Sequence, residues 1–274
     1  MIPFAKAHAC GNDFLIVTED SAAKGDWAEL TRRLCARNTG VGADGIEFFA
    51  WTGSTSGRVR LHNADGSIAE ISGNGTRCVA AWMSAMIGAN AGDELRIETD
   101  AGLRICRINN VFSEAGYSVE VTTGMGIPSA ASKIVMLADD RAVEGIAVST
   151  GNPHFVIVVE NPDFSVAGDA WQTIGAAICA HSDFLHQTNV EFVRILSPKE
   201  IEVRIFERGV GPTTSSGTGT SASATAAIAF HACVSPLRVV SPGGGQTVSW
   251  RGFGSELELT GPATLIARGE AWCE

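Results

Sequence analysis

Two short segments of the chain combine a serine with glycines in the same order. They read EISGNGTRC at 70–78 and TSSGTGTSA at 214–222, so that Ser72 and Ser216 occupy the same place in each. Glycines just ahead of a helix let the backbone turn sharply, and the first N–H groups of the helix are left unpaired. Because these donors lie at the positive end of the helix dipole, they bind carboxylate or phosphate groups. Two such turns aimed at one ligand suit a small anionic substrate whose charge rises during the reaction.

The same turns also have simpler interpretations. Serine is among the best N-cap residues and contributes about 1 kcal/mol there, so each serine taken alone is an ordinary cap. A P-loop needs a lysine that neither copy has, and a dinucleotide-binding turn needs a third glycine where Arg77-Cys78 and Thr220-Ser221 follow. The presence of two copies favours a ligand site over two isolated caps.

Short runs rich in β-branched residues surround the two turns. Most of them alternate polar with apolar residues, which is the period of a strand buried on one face. Strands are predicted at 13–19, 57–63, 94–100, 102–108, 117–123, 154–160, 189–196, 201–207 and 256–260, and the first residues also read as a strand. Helices are predicted at 27–38, 76–87, 171–181 and 220–233. Since strands outnumber helices about two to one, we predict an α+β fold with mixed or antiparallel sheets.

The order of these elements repeats along the chain. CGNDFLIV at 10–17 resembles TGNPHFVIVV at 150–159, and in each half a helix follows this strand before the serine turn. The alternative is that Gly-Asn and S-G-x-G-T are common turn strings that coincide by chance. We favour duplication, with an N-terminal half at 1–118, a C-terminal half at 119–261 and the active site in the cleft between them. The return of 262–274 to the first half is left open.

Composition points to a small-molecule partner. The net charge is −10 and the pI is about 5.1, which opposes a nucleic-acid surface because binding to a phosphate backbone needs clustered Lys and Arg. No apolar run is long enough to cross a membrane, and the first residues lack the apolar segment of a signal peptide. The seven cysteines form no Cys-x-x-Cys pair, so we expect free thiols and a cytoplasmic protein without a membrane partner. Homodimerisation is left open.

No metal and no organic cofactor are expected. The histidines show no paired ligand spacing, and they stand at 8, 62, 154, 181, 186 and 231. A Schiff-base cofactor would need a lysine near the serine turns, whereas the four lysines stand outside both turns, at 6, 24, 133 and 199.

Six longer segments of the sequence, some of which include the two turns, resemble those of a known protein family. In chain order they are HACGNDFLIV, RNTGVGADGIEFF, NADGSIAEISGNGTRC, GNPHFVIVV, TNVEFV and ERGVGPTTSSGTG. Over nearly the whole chain they closely resemble the diaminopimelate epimerase family. The resemblance implies a pyridoxal-independent isomerase of lysine biosynthesis with two pseudosymmetric domains, each a barrel-like mixed sheet around a central helix. It also implies that LL- and meso-diaminopimelate are interconverted between the domains by one cysteine from each, acting as base and acid on opposite faces of the α-carbon.

The resemblance assigns roles to residues of this chain. The positions that match the catalytic cysteines hold Ser72 and Ser216. The matches for backbone donors to the reacting carboxylate are Gly73, Asn74, Gly217 and Thr218. The matches for groups that hold the distal amino and carboxylate groups of the substrate are Asn12, Asn63, Asn152, Asn189, Glu207 and Arg208. His154 matches a histidine near one catalytic position, and Asp65 lies in the NADGS segment.

Each of these residues also has a simpler interpretation when it is taken singly. Asn12 and Asn63 could be turn residues, and His154 could be a packed core histidine. Glu207 and Arg208 could form an ordinary surface ion pair of small value.

Serine at both catalytic positions is the central departure from the family. Removal of an α-proton requires a base on one face and an acid on the other, with proton affinities near the working range. A cysteine thiol has a pKa of about 8.5 that falls at a helix N-terminus, whereas a serine hydroxyl is far less acidic and needs an adjacent base. Cys78, six residues beyond Ser72, is expected in the core. Pro212 stands where the family often has an acidic residue.

Three interpretations of this departure are open. The chain could be an epimerase frame that binds diaminopimelate and turns it over poorly. It could be a related isomerase or dehydratase that acts on another amino or hydroxy acid, with serine assisted by water or by His154. It could be a non-catalytic protein that binds a small amino acid. The six distal-end residues favour diaminopimelate as the ligand, since a second amino-acid group needs its own donors and acceptors.

Overall fold

The computed structural model describes residues 1–22, 25–69, 72–114 and 116–272. The chain divides into an N-terminal unit, Met1–Gly124 with Thr260–Glu274, and a C-terminal unit, Met125–Leu259. The division predicted from the sequence, between 118 and 119, falls inside a strand that the N-terminal unit keeps whole. Within the described ranges, none of the helices has both the length and the apolar composition that crossing a bilayer requires.

Short strands make up most of the regular structure. In chain order they are β1 (Ile2–Ala9), β2 (Asn12–Thr18), β3 (Gly45–Trp51), β4 (Ser56–Asn63), β5 (Ile68–Ala69), β6 (Glu94–Thr99), β7 (Gly102–Phe112), β8 (Tyr117–Gly124), β9 (Ser129–Met136), β10 (Ala142–Ser149), β11 (Pro153–Val158), β12 (Asn189–Ser197), β13 (Glu200–Glu207), β14 (Gly211–Thr213), β15 (Leu237–Ser241), β16 (Gly244–Ser249) and β17 (Glu258–Ala271). The α-helices are α1 (Trp27–Cys35), α2 (Gly73–Ile87), α3 (Trp171–Cys179) and α4 (Gly217–Phe230), and a 3-10 turn spans Glu19–Ala22.

The strands of the N-terminal unit close into a ring. Neighbours pair in the order β1, β2, β3, β4, β6, β7, β8 and β17, and β17 pairs back with β1. The pairs β2–β3 and β4–β6 are parallel, whereas β1–β2, β3–β4, β6–β7, β7–β8 and β1–β17 are antiparallel. Closure leaves no open edge along this ring, which removes the groups that would pair with another chain.

The same sequence of pairings recurs in the C-terminal unit. β10–β11 is antiparallel, β11–β12 is parallel and β12–β13 is antiparallel, as in β1–β2, β2–β3 and β3–β4. β13 then carries the short β14 and pairs in parallel with β15, as β4 carries β5 and pairs in parallel with β6. α3 lies between β11 and β12 in the chain, where α1 lies between β2 and β3. The predicted α+β fold with two pseudosymmetric units is confirmed.

The helices that follow the serine turns lie at the centres of the units. In α2 every residue from Gly73 to Ser84 is buried, and in α4 every residue from Gly217 to Ala227 is buried. A helix enclosed by strands cannot carry a solvated face, and the small residues of GTGTSASATAAIAF let the strands approach it from all sides. The apolar cores of the two units therefore form around α2 and around α4.

Candidate active site

Ser72 is the N-cap of α2. Its backbone is extended, with φ −125° and ψ 121°, and its Oγ accepts a hydrogen bond from the N–H of Gly75 at 3.0 Å. Its carbonyl oxygen accepts both the N–H and the hydroxyl of Thr76, each at 2.8 Å. The cap therefore uses a lone pair of the serine oxygen and leaves the hydroxyl proton available to a ligand.

Ser216 caps α4 in the same manner. Its backbone has φ −144° and ψ 131°, and its Oγ accepts the N–H of Gly219 at 3.2 Å. The hydroxyl of Thr218 lies 3.4 Å from the same oxygen. The carbonyl oxygen of Ser216 accepts the N–H of Thr220 at 2.9 Å. The two serine turns thus have the same local geometry as well as the same sequence pattern.

The two caps leave backbone donors at each helix start. The N–H groups of Gly73 and Gly217, at the first helical position, precede the first intrahelical hydrogen bond. At Gly75 and Gly219 the N–H group is used by the cap, and the N–H groups of Gly73 and Gly217 lie ahead of it at the positive ends of the helices. Such ends stabilise a carboxylate, and they do so more strongly where water is excluded.

A carboxyl group that the motifs did not reveal lies under the first turn of α2. Glu47, in the middle of β3, is 2% exposed. A Cβ atom placed on Gly75 would overlap with Oε1 of Glu47 and would lie 3.2 Å from Cβ of Ser72. Burial raises the pKa of Glu47 to about 8, and no described residue donates a hydrogen bond to its carboxyl group to offset that.

Glu191 occupies the equivalent place under α4. A Cβ atom on Gly219 would lie 2.8 Å from Oε1 of Glu191 and 3.4 Å from Oγ of Ser216. Unlike Glu47, this carboxyl group has a partner, since Oε1 lies 2.7 Å from Nδ1 of His154, and both side chains are fully buried. Burial raises the pKa of Glu191, and the nearby imidazole moderates the rise. The other oxygen, Oε2, has no partner among the described residues.

The predicted residues of the C-terminal unit form a connected set around Ser216. Nε2 of His154 lies 2.9 Å from Oδ1 of Asn152, and the amide of Asn152 donates to the Thr218 hydroxyl at 3.4 Å. Thr218 in turn contacts Ser216. These contacts join Glu191 to the serine cap through one chain of polar groups. His154 is therefore a core histidine and a neighbour of the turn at the same time.

In the N-terminal unit the corresponding chain starts from Asn12. Its Oδ1 accepts the side-chain amide of Asn74 at 3.1 Å, and its Nδ2 donates to Asp44 at 2.7 Å. Oδ1 of Asn74 accepts a hydrogen bond from the fully buried guanidinium of Arg77 at 2.7 Å. These contacts hold Asn12 against Asn74, which lies two residues beyond Ser72 in the first turn of α2.

Asn63 is the last residue of β4, and Asp65 lies in the turn that follows it. Nδ2 of Asn63 donates to the Ser67 hydroxyl at 3.0 Å. Oδ1 of Asp65 accepts the hydroxyl and the N–H of Ser67, and these hydrogen bonds lower the pKa of Asp65. This local bonding agrees with the turn interpretation of Asn63, while its pairing opposite Gly45 keeps it next to Asp44, the partner of Asn12.

The last group of predicted residues lies where β12 begins and β13 ends. Asn189 donates its amide to the carbonyl of Pro153 and accepts the N–H of Arg208, both at 3.0 Å. The exposed guanidinium of Arg208 donates to the carbonyl of His186 at 2.8 Å. Glu207 is the last residue of β13, opposite Gly211. The hydrogen bonds of Arg208 thus include one from its N–H to a side chain and one from its guanidinium to a backbone carbonyl. Within the part of the chain that the structure describes, Glu207 and Arg208 do not form a salt bridge with each other.

The cysteines of the described residues offer no replacement for the serines. All six of them are buried, namely Cys10, Cys35, Cys78, Cys106, Cys179 and Cys233. Burial raises the pKa of Cys78 far above that of an ordinary thiol, and the carboxyl of Glu47 raises it further. As expected from the sequence, Cys78 belongs to the core around α2. Cys273 lies outside the described residues.

Comparison of the sequence with known protein families and with individual relatives points to the same family in each case. The sequence profile described as diaminopimelate epimerase matches residues 4–128 and 146–266. The diaminopimelate epimerase of Moorella thermoacetica is 34% identical over 281 residues, which cover 97% of this chain and 98% of that protein. That of Corynebacterium glutamicum is 36% identical over 278 residues, covering 98% of each chain.

A solved structure extends the fold comparison. A probable proline racemase from Agrobacterium radiobacter, determined with bound carbonate, matches with a TM-score of 0.77 at 13% identity. The match covers 100% of this chain and 94% of that one. At this identity the likeness concerns the fold, and it agrees with the two related units described above.

Proposed function

This chain belongs to the diaminopimelate epimerase family, and on that premise we propose that it interconverts LL- and meso-diaminopimelate by cofactor-independent proton transfer at the α-carbon. The family makes the chain an amino-acid epimerase or racemase; the substrate and the proton-transfer route are our proposal. The observation that carries it is the repeated helix start, in which Ser72 and Ser216 cap α2 and α4 with the same hydrogen bonds.

In the proposed reaction the helix starts bind the reacting carboxylate. The donors are the backbone N–H groups of Gly73, Asn74, Gly217 and Thr218. When the α-proton leaves, the electron pair is delocalised into this carboxylate, so that negative charge develops where the N–H groups and the helix dipoles point. The serine hydroxyls, whose oxygens accept the N–H groups of Gly75 and Gly219, can donate their own protons to the same carboxylate.

The distal amino-acid group of the substrate needs its own partners. We assign it to Asn12, Asn63, Asn152, Asn189, Glu207 and Arg208. The carboxylate of Glu207 suits the distal ammonium, and the guanidinium of Arg208 suits the distal carboxylate through paired, charge-assisted hydrogen bonds. A ligand with a single carboxylate, such as proline, would leave Arg208 without this contact. The distal set therefore supports diaminopimelate over smaller amino acids.

The test combines binding with isotope exchange. The protein is titrated calorimetrically with LL-diaminopimelate, and it is then incubated with the same compound in D₂O while deuterium at the α-carbon and formation of the meso isomer are followed by NMR. We expect binding, exchange and meso product, with proline competing weakly. Absence of detectable binding would overturn the assignment of diaminopimelate as the ligand.

Arg208→Met provides the matched variant for the distal end. Loss of a charge-assisted pair is expected to weaken binding by about 10-fold to 100-fold. Arg251→Met, at an exposed position of the same unit, serves as the control and should bind as the unmodified protein does. Equal affinities of both variants would contradict the role of Arg208.

A further inference from the structure

The N-terminal serine turn has no proton-transfer group of its own. The Oγ atom of Ser72 accepts the N–H of Gly75 in the cap. Among the described residues, no side chain that could act as a base is hydrogen-bonded to the Ser72 hydroxyl. The thiol of Cys78, six residues further along the chain, is buried and has a raised pKa. A hydroxyl without an adjacent base neither takes nor gives an α-proton at a useful rate. The reaction at this turn needs a different group.

Glu47 is a titratable side chain of the described residues that reaches this turn. Its Oε1 lies where a side chain on Gly75 would begin, and Gly75 is the residue whose N–H binds Ser72. Only a glycine at 75 leaves room for the carboxyl group there. β3 therefore directs an acid at the start of α2, beside the donors assigned to the reacting carboxylate.

The other unit shows how such a carboxyl group is normally satisfied. Glu191 has the same relation to Gly219, but it is hydrogen-bonded to His154 at 2.7 Å. Phe14 stands at the equivalent position of β2, since it pairs with Gly45 as His154 pairs with Asn189. Glu47 is consequently a buried acid without a partner among the described residues. Burial of a carboxyl group that has no hydrogen-bond partner costs stability.

We propose that the carboxyl group of Glu47 is the proton-transfer group of the N-terminal serine turn, in the role that the hydroxyl of Ser72 cannot fill. This inference rests on the proposed function. In one direction the carboxylate of Glu47 takes the α-proton: its O–H bond forms, the C–H bond breaks, and the electron pair passes to the substrate carboxylate. A second donor then returns a proton to the α-carbon: the donor's own bond to hydrogen breaks and a new C–H bond forms. In the reverse direction each group performs the opposite step.

The proton affinity of Glu47 fits this role. Burial raises its pKa to about 8, so that both the acid and the carboxylate are present near neutral pH. An acid–base group works best when its pKa lies near the working pH. The titratable group known to face it from α2 is Cys78, whose thiol remains protonated in this range.

Glu47→Gln tests the inference in the D₂O assay. Glutamine keeps the size of the side chain and removes the titrating group. We expect the affinity for LL-diaminopimelate to change by less than about 3-fold, while deuterium incorporation falls by at least about 100-fold. Glu98→Gln, at an exposed position of the same unit, is the control and should exchange at the unmodified rate.

A second change separates loss of the base from structural damage. In the Glu47→Gln background, Ser72→Cys places a thiol at the helix start, where its pKa falls, and should restore part of the lost exchange. Glu47→Asp keeps a shorter acid and should retain partial exchange; it is the variant to use if Glu47→Gln does not fold.

The outcomes distinguish the two proposals. Exchange in Glu47→Gln at the unmodified rate overturns the role of Glu47 and leaves the epimerase assignment standing. Binding without exchange in the unmodified protein also overturns the role of Glu47, because its acid would then be idle. If the unmodified protein does not bind diaminopimelate, the proposed function fails first and the inference falls with it.

Discussion

The two serine turns have the same cap geometry, and they differ in the hydrogen-bond partner of the glutamate buried beneath each turn. Each has a serine cap, a glycine in the first helical turn and a buried glutamate beneath that glycine. In the C-terminal unit His154 satisfies the glutamate, whereas in the N-terminal unit the equivalent residue is Phe14. The two units thus have the same turn geometry, and of the two buried acids only Glu191 has an imidazole partner among the described residues. A partner of this kind favours the charged form of a carboxyl group, and its absence favours the neutral form.

The largest expected effect comes from filling the space above Glu47. In Gly75→Ala the new methyl group overlaps with Oε1 of Glu47 and lies 3.0 Å from its Cδ, so the acid must move. We expect a loss of about 3 kcal/mol in the free energy of unfolding, and a smaller loss for Gly219→Ala, where the nearest atom of Glu191 is 2.8 Å away. Urea denaturation measures both.

Gly25→Ala is the control for these alanine variants. Among the described residues, no atom other than those of its chain neighbours lies within 4 Å of a Cβ at this position, so the stability should change by less than about 0.5 kcal/mol. Equal stability of Gly75→Ala and Gly25→Ala would show that Glu47 does not occupy the space under the turn.

His154→Phe would make the C-terminal turn resemble the N-terminal one. The change leaves both oxygens of Glu191 buried without a partner, and we expect a loss of about 2 kcal/mol. Since the imidazole moderates the raised pKa of Glu191, its removal raises that pKa further and the loss should grow as the pH rises. Thermal unfolding at several pH values measures this effect.

The converse change, Phe14→His, sharpens the comparison. An imidazole at this position would give Glu47 the partner that Glu191 has, so the pKa of Glu47 should fall. Two results would contradict the role of the imidazole in making the two glutamates differ. One is a loss of stability in His154→Phe that does not vary with pH, and the other is an unchanged pKa of Glu47 in Phe14→His.

The pH dependence of stability separates Glu47 from an ordinary carboxyl group. Its pKa is raised from 4.5 to about 8 in the folded protein, so the folded state holds a proton that the unfolded state has already released. This contribution to stability is complete below the unfolded pKa and is lost as the pH rises through the folded pKa. Glu47→Gln removes the titration, and its stability relative to the unmodified protein should therefore increase from about pH 5 to about pH 8, by on the order of 1–3 kcal/mol.

Urea denaturation across this pH range measures the difference, with Glu98→Gln as the control. A stability difference between Glu47→Gln and the unmodified protein that stays constant with pH would mean that Glu47 titrates as an exposed acid does.

The smallest expected effect concerns the caps themselves. Ser72→Ala and Ser216→Ala each remove one hydrogen bond to a helix N–H, and each should cost about 1 kcal/mol. The asparagine variants at the same positions keep a side-chain acceptor and should lose less. Because the two caps have the same geometry, markedly unequal losses at 72 and 216 would argue against their equivalence.

Local sequence patterns predicted many of the strands and the four α-helices of the molecule. Alternation identified strands such as Asn12–Thr18 and Ser56–Asn63 to within a residue. The central helices start at Gly73 and Gly217, three residues before the predicted starts at 76 and 220, because the glycines form the first turn of each helix. Strands such as Ser129–Met136 and Ala142–Ser149 were missed because small residues and glycine interrupt the apolar pattern, and their pairing with each other makes them strands.

The site was predicted only in part, for a physical reason. The serine turns and the asparagines are read from local patterns, and the structure adds that Asn12 and Asn74 are hydrogen-bonded to each other. Glu47 and Glu191 stand inside the apolar runs GIEFF and NVEFV, where alternation makes each an outward-facing residue of a strand. Burial of both acids follows from the central helices, which a strand pattern does not contain. A glutamate within an apolar run was the one available signal.

The last strand of the chain, β17, closes the ring of the first unit by pairing with β1 and β8. During synthesis, residues 1–124 emerge long before this strand does, so the N-terminal unit keeps two unpaired strand edges until β17 has been made. The C-terminal unit, which lies within that interval, can fold first. Vectorial translation therefore reverses the expected order of assembly, and the half that is made first is completed last.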